Sequence, residues 1–133
     1  TVLKGGLDIM KGTNFEVDYQ YDMDVDGLFI YVSQDYMYDT SIELDNDVIL
    51  DFDEAGVPVA LEILNASHVL KVPKYVLNGI KEIKMTIKVN EKSINLKAGF
   101  GVILHNRKQT QLVDTFTSND IGIPAMETEL ATV

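Results

Sequence analysis

The sequence predicts a mainly β fold: an antiparallel β-sandwich or partly open barrel with one short helical segment near residues 65–79. Three observations predict it. Apolar residues recur at every second position through most of the chain, the pattern of strands with one buried and one wet face. Turn residues separate these runs at short intervals. Only one stretch breaks the alternation with a helical pattern. With 133 residues and a hydrophobic content of 46%, the chain can bury a core and is too apolar for bulk disorder.

Phe15, Val17, Tyr19 and Tyr21 alternate with Glu16, Asp18, Gln20 and Asp22, a strand with one acidic face. Gly27 ends a turn, and Leu28 to Val32 is a short apolar run that reads as a central strand. Ile42 and Leu44, then Val48 to Phe52, give further strand around the polar turn Asp45-Asn46-Asp47. Asp53-Glu54-Ala55-Gly56 is a hairpin turn with Gly at a positive φ. Val57, Val59, Leu61 and Ile63 alternate after it, and Pro58 marks an edge or a strand start. Asn65 is the expected N-cap of a helix over Ala66 to Leu70; Pro73 opens a second turn that Asn78-Gly79 closes. Ile83, Met85, Ile87 and Val89 resume the alternation, and Ile94 to Leu104 hold one face for a further strand. Gly99 and Gly101, on its opposite face, predict a bend, a bulge or a close approach. His105-Asn106-Arg107-Lys108 reads as a turn, and residues 110–117 and 125–132 as the last two strands.

This layout is about four strands, a helical connection and about four more. Residues 1–12 read as an N-terminal arm or leader, 13–79 as an acidic β-meander with its helix, and 80–133 as a C-terminal β half packed with the first as one unit. Charge divides the chain in the same way. Residues 1–65 hold fifteen acids and two bases, residues 66–108 nine bases and two acids, and residues 109–133 four acids and no base. Opposite-sign halves either neutralise each other or meet between chains, and complementary potentials speed encounter and select partners.

Composition excludes several classes. A net charge of −10 and a single arginine, Arg107, argue against nucleic acid as a partner. No apolar run approaches the roughly 20 residues of a membrane-spanning helix. No Cys means no disulfide, thiolate metal site or Cys nucleophile. The expected location is the cytoplasm, and no cofactor is expected.

Asp22, Asp24 and Asp26, followed by Gly27, match the first half of a calcium loop, in which alternate carboxylates converge on one cation. The twelfth loop position is Ser33 rather than Glu, and the flanks read as strands. A non-EF calcium turn would draw further oxygens from Asp45, Asp47, Asp51 or Asp53. The only imidazoles, His68 and His105, have no nucleophile and orienting carboxylate in evident register, so no catalytic residue is assigned. Tyr36 and Tyr38, around a predicted turn and beside acids, are the candidate partner-binding residues.

The acidic half also carries an ordered pattern. It runs Tyr21-Asp22, Asp26-Gly27-Leu28-Phe29-Ile30, Thr40-Ser41-Ile42-Glu43 and Asp47-Val48-Ile49-Leu50-Asp51-Phe52-Asp53. It ends with Gly56-Val57-Pro58-Val59-Ala60-Leu61-Glu62-Ile63-Leu64-Asn65-Ala66-Ser67. Over residues 21–67 this resembles a family of uncharacterised small prokaryotic proteins, a domain of unknown function. Phe29 stands where that pattern has Tyr, and Ala60 where it has its second Gly. The resemblance implies a compact β-meander followed by a short helix, with the C-terminal half as an addition. It carries no established activity and so implies no catalytic residue. Some relatives are encoded beside toxin-like proteins, which implies an antitoxin-like or partner-binding role for those. The expectation is a non-enzymatic interaction module, binding a protein partner or forming a homodimer, with calcium binding at Asp22–Asp26 as the alternative.

Overall fold

A computed structural model describes residues 13–133; the expected arm or leader over residues 1–12 lies outside the described residues. Nine strands form one sheet: β1 (Thr13–Asp22), β2 (Gly27–Val32), β3 (Tyr38–Asp45), β4 (Val48–Asp53), β5 (Pro58–Ile63), β6 (Glu82–Val89), β7 (Ser93–Leu104), β8 (Arg107–Ser118) and β9 (Met126–Ala131). Between β5 and β6 lie a five-residue helix, α1 (Ala66–Leu70), and a 3₁₀ turn (Lys74–Gly79). The strand order is β3-β4-β5-β2-β1-β9-β6-β7-β8. The two terminal strands, β3 and β8, approach each other, so the sheet curls into a half-barrel. Among the described residues, no helix is long and apolar enough to cross a membrane.

Alternation dictates this shape. Val17 on β1, Ile30 on β2, Leu61 on β5, Ile87 on β6 and Phe100 on β7 point to the concave side and are almost wholly buried. Burying each such side chain is worth about 1.5–3 kcal/mol. Leu70 of α1 and Leu77 of the 3₁₀ turn join this core, against β8 and β7 respectively. Gln111 on β8 donates to the Leu70 carbonyl (2.8 Å), and the Tyr19 hydroxyl donates to the Ile80 carbonyl (3.2 Å). One buried hydroxyl in the core, Thr128 Oγ1, has no partner among the described residues.

Two connections matter most. First, β1 pairs in parallel with β9, Phe15 opposite Leu130, and this pair joins the N-terminal and C-terminal halves of the sheet. Among the described residues, both ion pairs, Lys88–Glu127 (3.9 Å) and Lys108–Glu82 (3.1 Å), lie within β6–β9 and do not bridge the halves. Second, β2 and β3 are adjacent in sequence but β5 and β4 lie between them in the sheet. Residues 33–37 must therefore cross both strands. Three strand spacings are about 14 Å, and the six peptide links from Val32 to Tyr38 reach only about 20 Å when extended. This strap crosses with little slack.

Several sequence expectations change in detail. Asn65 takes the expected N-cap position of α1, its carbonyl accepting from the His68 and Val69 amides, but its backbone is left-handed (φ 49°, ψ 46°), its side chain makes no cap bond, and Nδ2 donates instead to Asp47 (3.2 Å). The turn after β7 is only His105-Asn106, both at positive φ as a type I′ turn requires; Arg107 and Lys108 already belong to β8. Gly99 and Gly101 interrupt neither ladder of β7. They make room for side chains instead. A Cβ on Gly101 would lie 2.8 Å from the Glu82 side chain, which passes over β7 to reach Lys108 on β8. The hydrogen bond to Lys108, then its charge, holds the Glu82 carboxyl below the usual range.

Gly56 carries the hairpin turn between β4 and β5 at φ +79°, and a Cβ there would lie 2.6 Å from Pro124 Cδ. Gly56→Ala therefore meets both backbone strain and a clash. It should lower unfolding free energy by about 2 kcal/mol, read as an earlier urea midpoint at unchanged m-value; an unchanged midpoint would contradict the tight Gly56–Pro124 approach.

Candidate functional site

Two clusters of polar side chains are built into the acidic half. The first stands on the concave side, where the turn between β1 and β2 meets α1. Asp26, at φ 53°, is 7% exposed. Its Oδ1 accepts from the Tyr21 hydroxyl (2.6 Å) and the Ser67 amide (3.0 Å), and its Oδ2 accepts from the Ser67 hydroxyl (2.6 Å). Its carbonyl accepts from the Ala66 amide (2.9 Å). Asp26 thus caps α1 from 41 residues away, satisfying amide groups that a helix start leaves unpaired. Burial pushes the Asp26 carboxyl up, but donation from Ser67 Oγ, Tyr21 and the Ser67 amide, with the charge of Lys74, outweighs it and leaves Asp26 below the ordinary range. The Tyr21 phenol is pushed up by burial and by its bond to Asp26.

The three residues of the calcium pattern separate. Asp26 turns inward onto α1, while Asp22 and Asp24 are exposed and Asp22 Oδ1 accepts the Asp24 amide (2.9 Å). They border an open hollow of about 410 Å³ that Gln20, Tyr21 and Phe29 also line. The other acids proposed as ligands are engaged locally: Asp45 with the Asn46 amide, Asp47 with Asn65, and Asp53 with the Ala55 and Val57 amides. No group of three or more His, Asp or Glu that could hold a metal ion is found among the described residues.

The second cluster lies on the convex side, in two rows across β2, β5, β4 and β3. One row is Tyr31, Ala60, Asp51, Ser41; the next is Phe29, Glu62, Ile49, Glu43. Asp51 is 5% exposed, although its position faces outward. Ser41 Oγ donates to Asp51 Oδ1 (2.6 Å) and lies 2.7 Å from the exposed Tyr38 hydroxyl. Glu62 shares a hydrogen bond with Asp51. That bond, then burial, then the Asp51 charge raise the Glu62 carboxyl to about 7. Tyr36, from the strap, is half-buried beside Asp51, Glu62 and Tyr31, and burial followed by those acids pushes its phenol up. Tyr31 stacks on Phe29, with ring centroids 5.1 Å apart.

Of the two candidate partner-binding residues, Tyr38 is exposed on a terminal strand and Tyr36 is drawn down toward the carboxyls. Glu62, Ser41 and Ser67 were not singled out from sequence. The signal was present: Asp51 and Glu62 are acids at outward positions in otherwise apolar strands, and Ser67 closes the ordered pattern that begins at Tyr21. His68 and His105 are both exposed, and they lie on α1 and in the β7–β8 turn.

Removing the Asp26 carboxylate leaves Tyr21 and Ser67 with unpaired donors. Asp26→Ala should cost about 3 kcal/mol. Because the folded-state carboxyl lies below its unfolded value of 3.8, its contribution is full above that pH and is lost as pH falls through the lower folded value. Urea unfolding from pH 7 to pH 3 should show this acid-dependent loss in the wild type and a smaller one in Asp26→Asn. Equal losses would mean that Asp26 is not the group responsible.

The family model described as "Protein of unknown function (DUF2283)" matches residues 18–67, which contain all the residues of both clusters. A Methanosarcina mazei protein named "Putative hypoxanthine phosphoribosyltransferase" is 33% identical over 115 residues, covering 86% of this chain and 92% of that protein. An uncharacterized protein of Methanocaldococcus jannaschii is 40% identical over 60 residues, 45% of this chain and 50% of its own length. No solved structure matches the chain. The 115-residue match is too long to end at β5. The sequence of β6, β7 and most of β8 therefore falls within the match to that relative. The chain belongs to the DUF2283 family of proteins of unknown function.

Proposed function

We propose that the protein is a non-enzymatic interaction module that binds a protein partner, or a second copy of itself, along the terminal strand β8. One observation carries this reading. β8 is twelve residues long, has β7 as its one hydrogen-bonded strand neighbour among the described residues although β3 and α1 approach it, and presents Leu112 and Phe116 outward at 74% and 68% exposure. A long terminal strand with apolar outward residues is a template for pairing, and isolated folds blunt such edges with charge, Pro or a cover. Ile103, at the end of β7, adds a third exposed apolar side chain beside Lys108. The basic residues of β6 and β7 beside this strand would steer an acidic partner in a salt-dependent way.

The measurement is sedimentation and affinity capture of the wild type against Leu112→Ser/Phe116→Ser. Losing both apolar contacts should weaken the association by roughly a hundredfold or more, at about 1.5–3 kcal/mol per side chain. A wild type that stays monomeric at high concentration and captures nothing that the double variant fails to capture would defeat the proposal.

The relative's name raises purine phosphoribosyl transfer as an activity. Phosphate-binding enzymes commonly cradle the anion on N–H groups at a helix start. Here the first N–H groups of α1 already hold Asp26, which supports the non-enzymatic reading. Turnover of hypoxanthine by the purified chain would overturn it. Calcium binding has less support, because two carboxylates remain after Asp26 is spent on α1. Melting temperature should be equal in EDTA and in calcium or magnesium at matched ionic strength, whereas a calcium-specific rise of several degrees would restore that reading.

A further inference from the structure

The strap between β2 and β3 passes over a weak point in the convex face. In the row Tyr31, Ala60, Asp51, Ser41, the small Ala60 stands between an aromatic residue and a carboxylate. Ala60 and Asp51 face outward but are 1% and 5% exposed, while Ser41 beside them is exposed. The strap must cross these strands, and its Tyr36 is half-buried and packs on the core, with Asp51, Glu62 and Tyr31 near enough to act on its phenol. Asp51 is held from two sides. Ser41 donates to it from β3 at every ordinary pH, and Glu62 donates from β5 only while it carries a proton.

We propose that residues 33–37 form a pH-sensitive latch: the strap is closed over Ala60 while Asp51 and Glu62 share a proton, and it opens when that proton is lost. Loss of the proton removes a hydrogen bond and places a second negative charge under a half-buried ring. Among the described residues, nothing adjacent offsets that charge. The pair faces Phe29 and Tyr31 from β2, Ile49 from β4, Ser41 and Tyr38 from β3, and Tyr36 from the strap, none of them cationic. The next charges along the two rows, Asp18 opposite Tyr31 and Glu43 opposite Ile49, are also acidic. The direction of the effect follows from linkage. The folded chain holds the Glu62 proton above the unfolded value of 4.5, so the stabilisation is full below that value and is lost as pH rises through about 7. The latch is independent of the β8 reading.

The test is amide hydrogen exchange of Ser33, whose amide donates to the Glu16 carbonyl (2.9 Å) at the root of the strap, from pH 5 to pH 8.5, corrected for the intrinsic pH dependence. The carbon-13 titration of the Glu62 carboxyl is recorded on the same sample. Corrected exchange of the strap should rise about tenfold or more, with the midpoint of Glu62, while amides of β6 and β7 stay unchanged. Glu62→Gln, whose amide donates to Asp51 at every pH, should flatten the rise. Exchange that stays flat through the Glu62 titration, or a rise that persists in Glu62→Gln, would overturn the proposal. Should that variant not fold, coincidence of the two midpoints in the wild type decides.

Discussion

A single buried carboxylate organises the acidic half. Asp26 must be charged to accept from Tyr21 and from both donors of Ser67, and it must be buried to reach them. These demands conflict, since burial disfavours the charged form. Three short hydrogen bonds resolve the conflict and tie the β1–β2 turn to the start of α1. With α1 fixed there, Leu70 and the following 3₁₀ turn are directed onto β8 and β7, in the other half of the sheet. A helix of five residues has little stability of its own, so its place in the fold comes from this tether and from the core it enters.

The strand pattern was legible because period-two alternation is a local property. Phe15 to Tyr21 and Ile83 to Val89 announce both their conformation and their buried face. The Gly56 turn was legible for the same reason. What alternation does not encode is the order of strands. Sequence gives no sign that β5 inserts between β4 and β2, or that β9 joins β1 in parallel. Asn65 holds the N-cap position without a side-chain cap bond for a related reason. A cap residue was sought next to the helix, where local rules apply, while the group that caps α1 comes from a turn 41 positions earlier.

The candidate sites were legible only in part. The acids at Asp22, Asp24 and Asp26 resemble a calcium loop by spacing, but spacing does not reveal that one of the three points inward. The family pattern held more information than its spacing suggested. Tyr21, Asp26 and Ser67, far apart in the chain, become one hydrogen-bonded unit, while Asp51 and Glu62 become the outward pair under the strap. A pattern with no assigned chemistry is thus accounted for by two networks, one that holds the helix and one that underlies the crossing connection.

The parallel pair of β1 and β9 bears on how the fold is reached. Five of the seven neighbouring strand pairs within the two halves are joined by hairpins, the exceptions being β2–β5 and β6–β9. The centre of the sheet cannot form this way, because Phe15 must meet Leu130 across most of the chain. Closing so long a loop costs entropy before any contact repays it, and such topologies fold slowly. The hairpins on either side can form early, each with an unsatisfied strand at its margin. The sheet becomes continuous only when β9 docks between β1 and β6, the last strand in the sequence filling the middle of the structure.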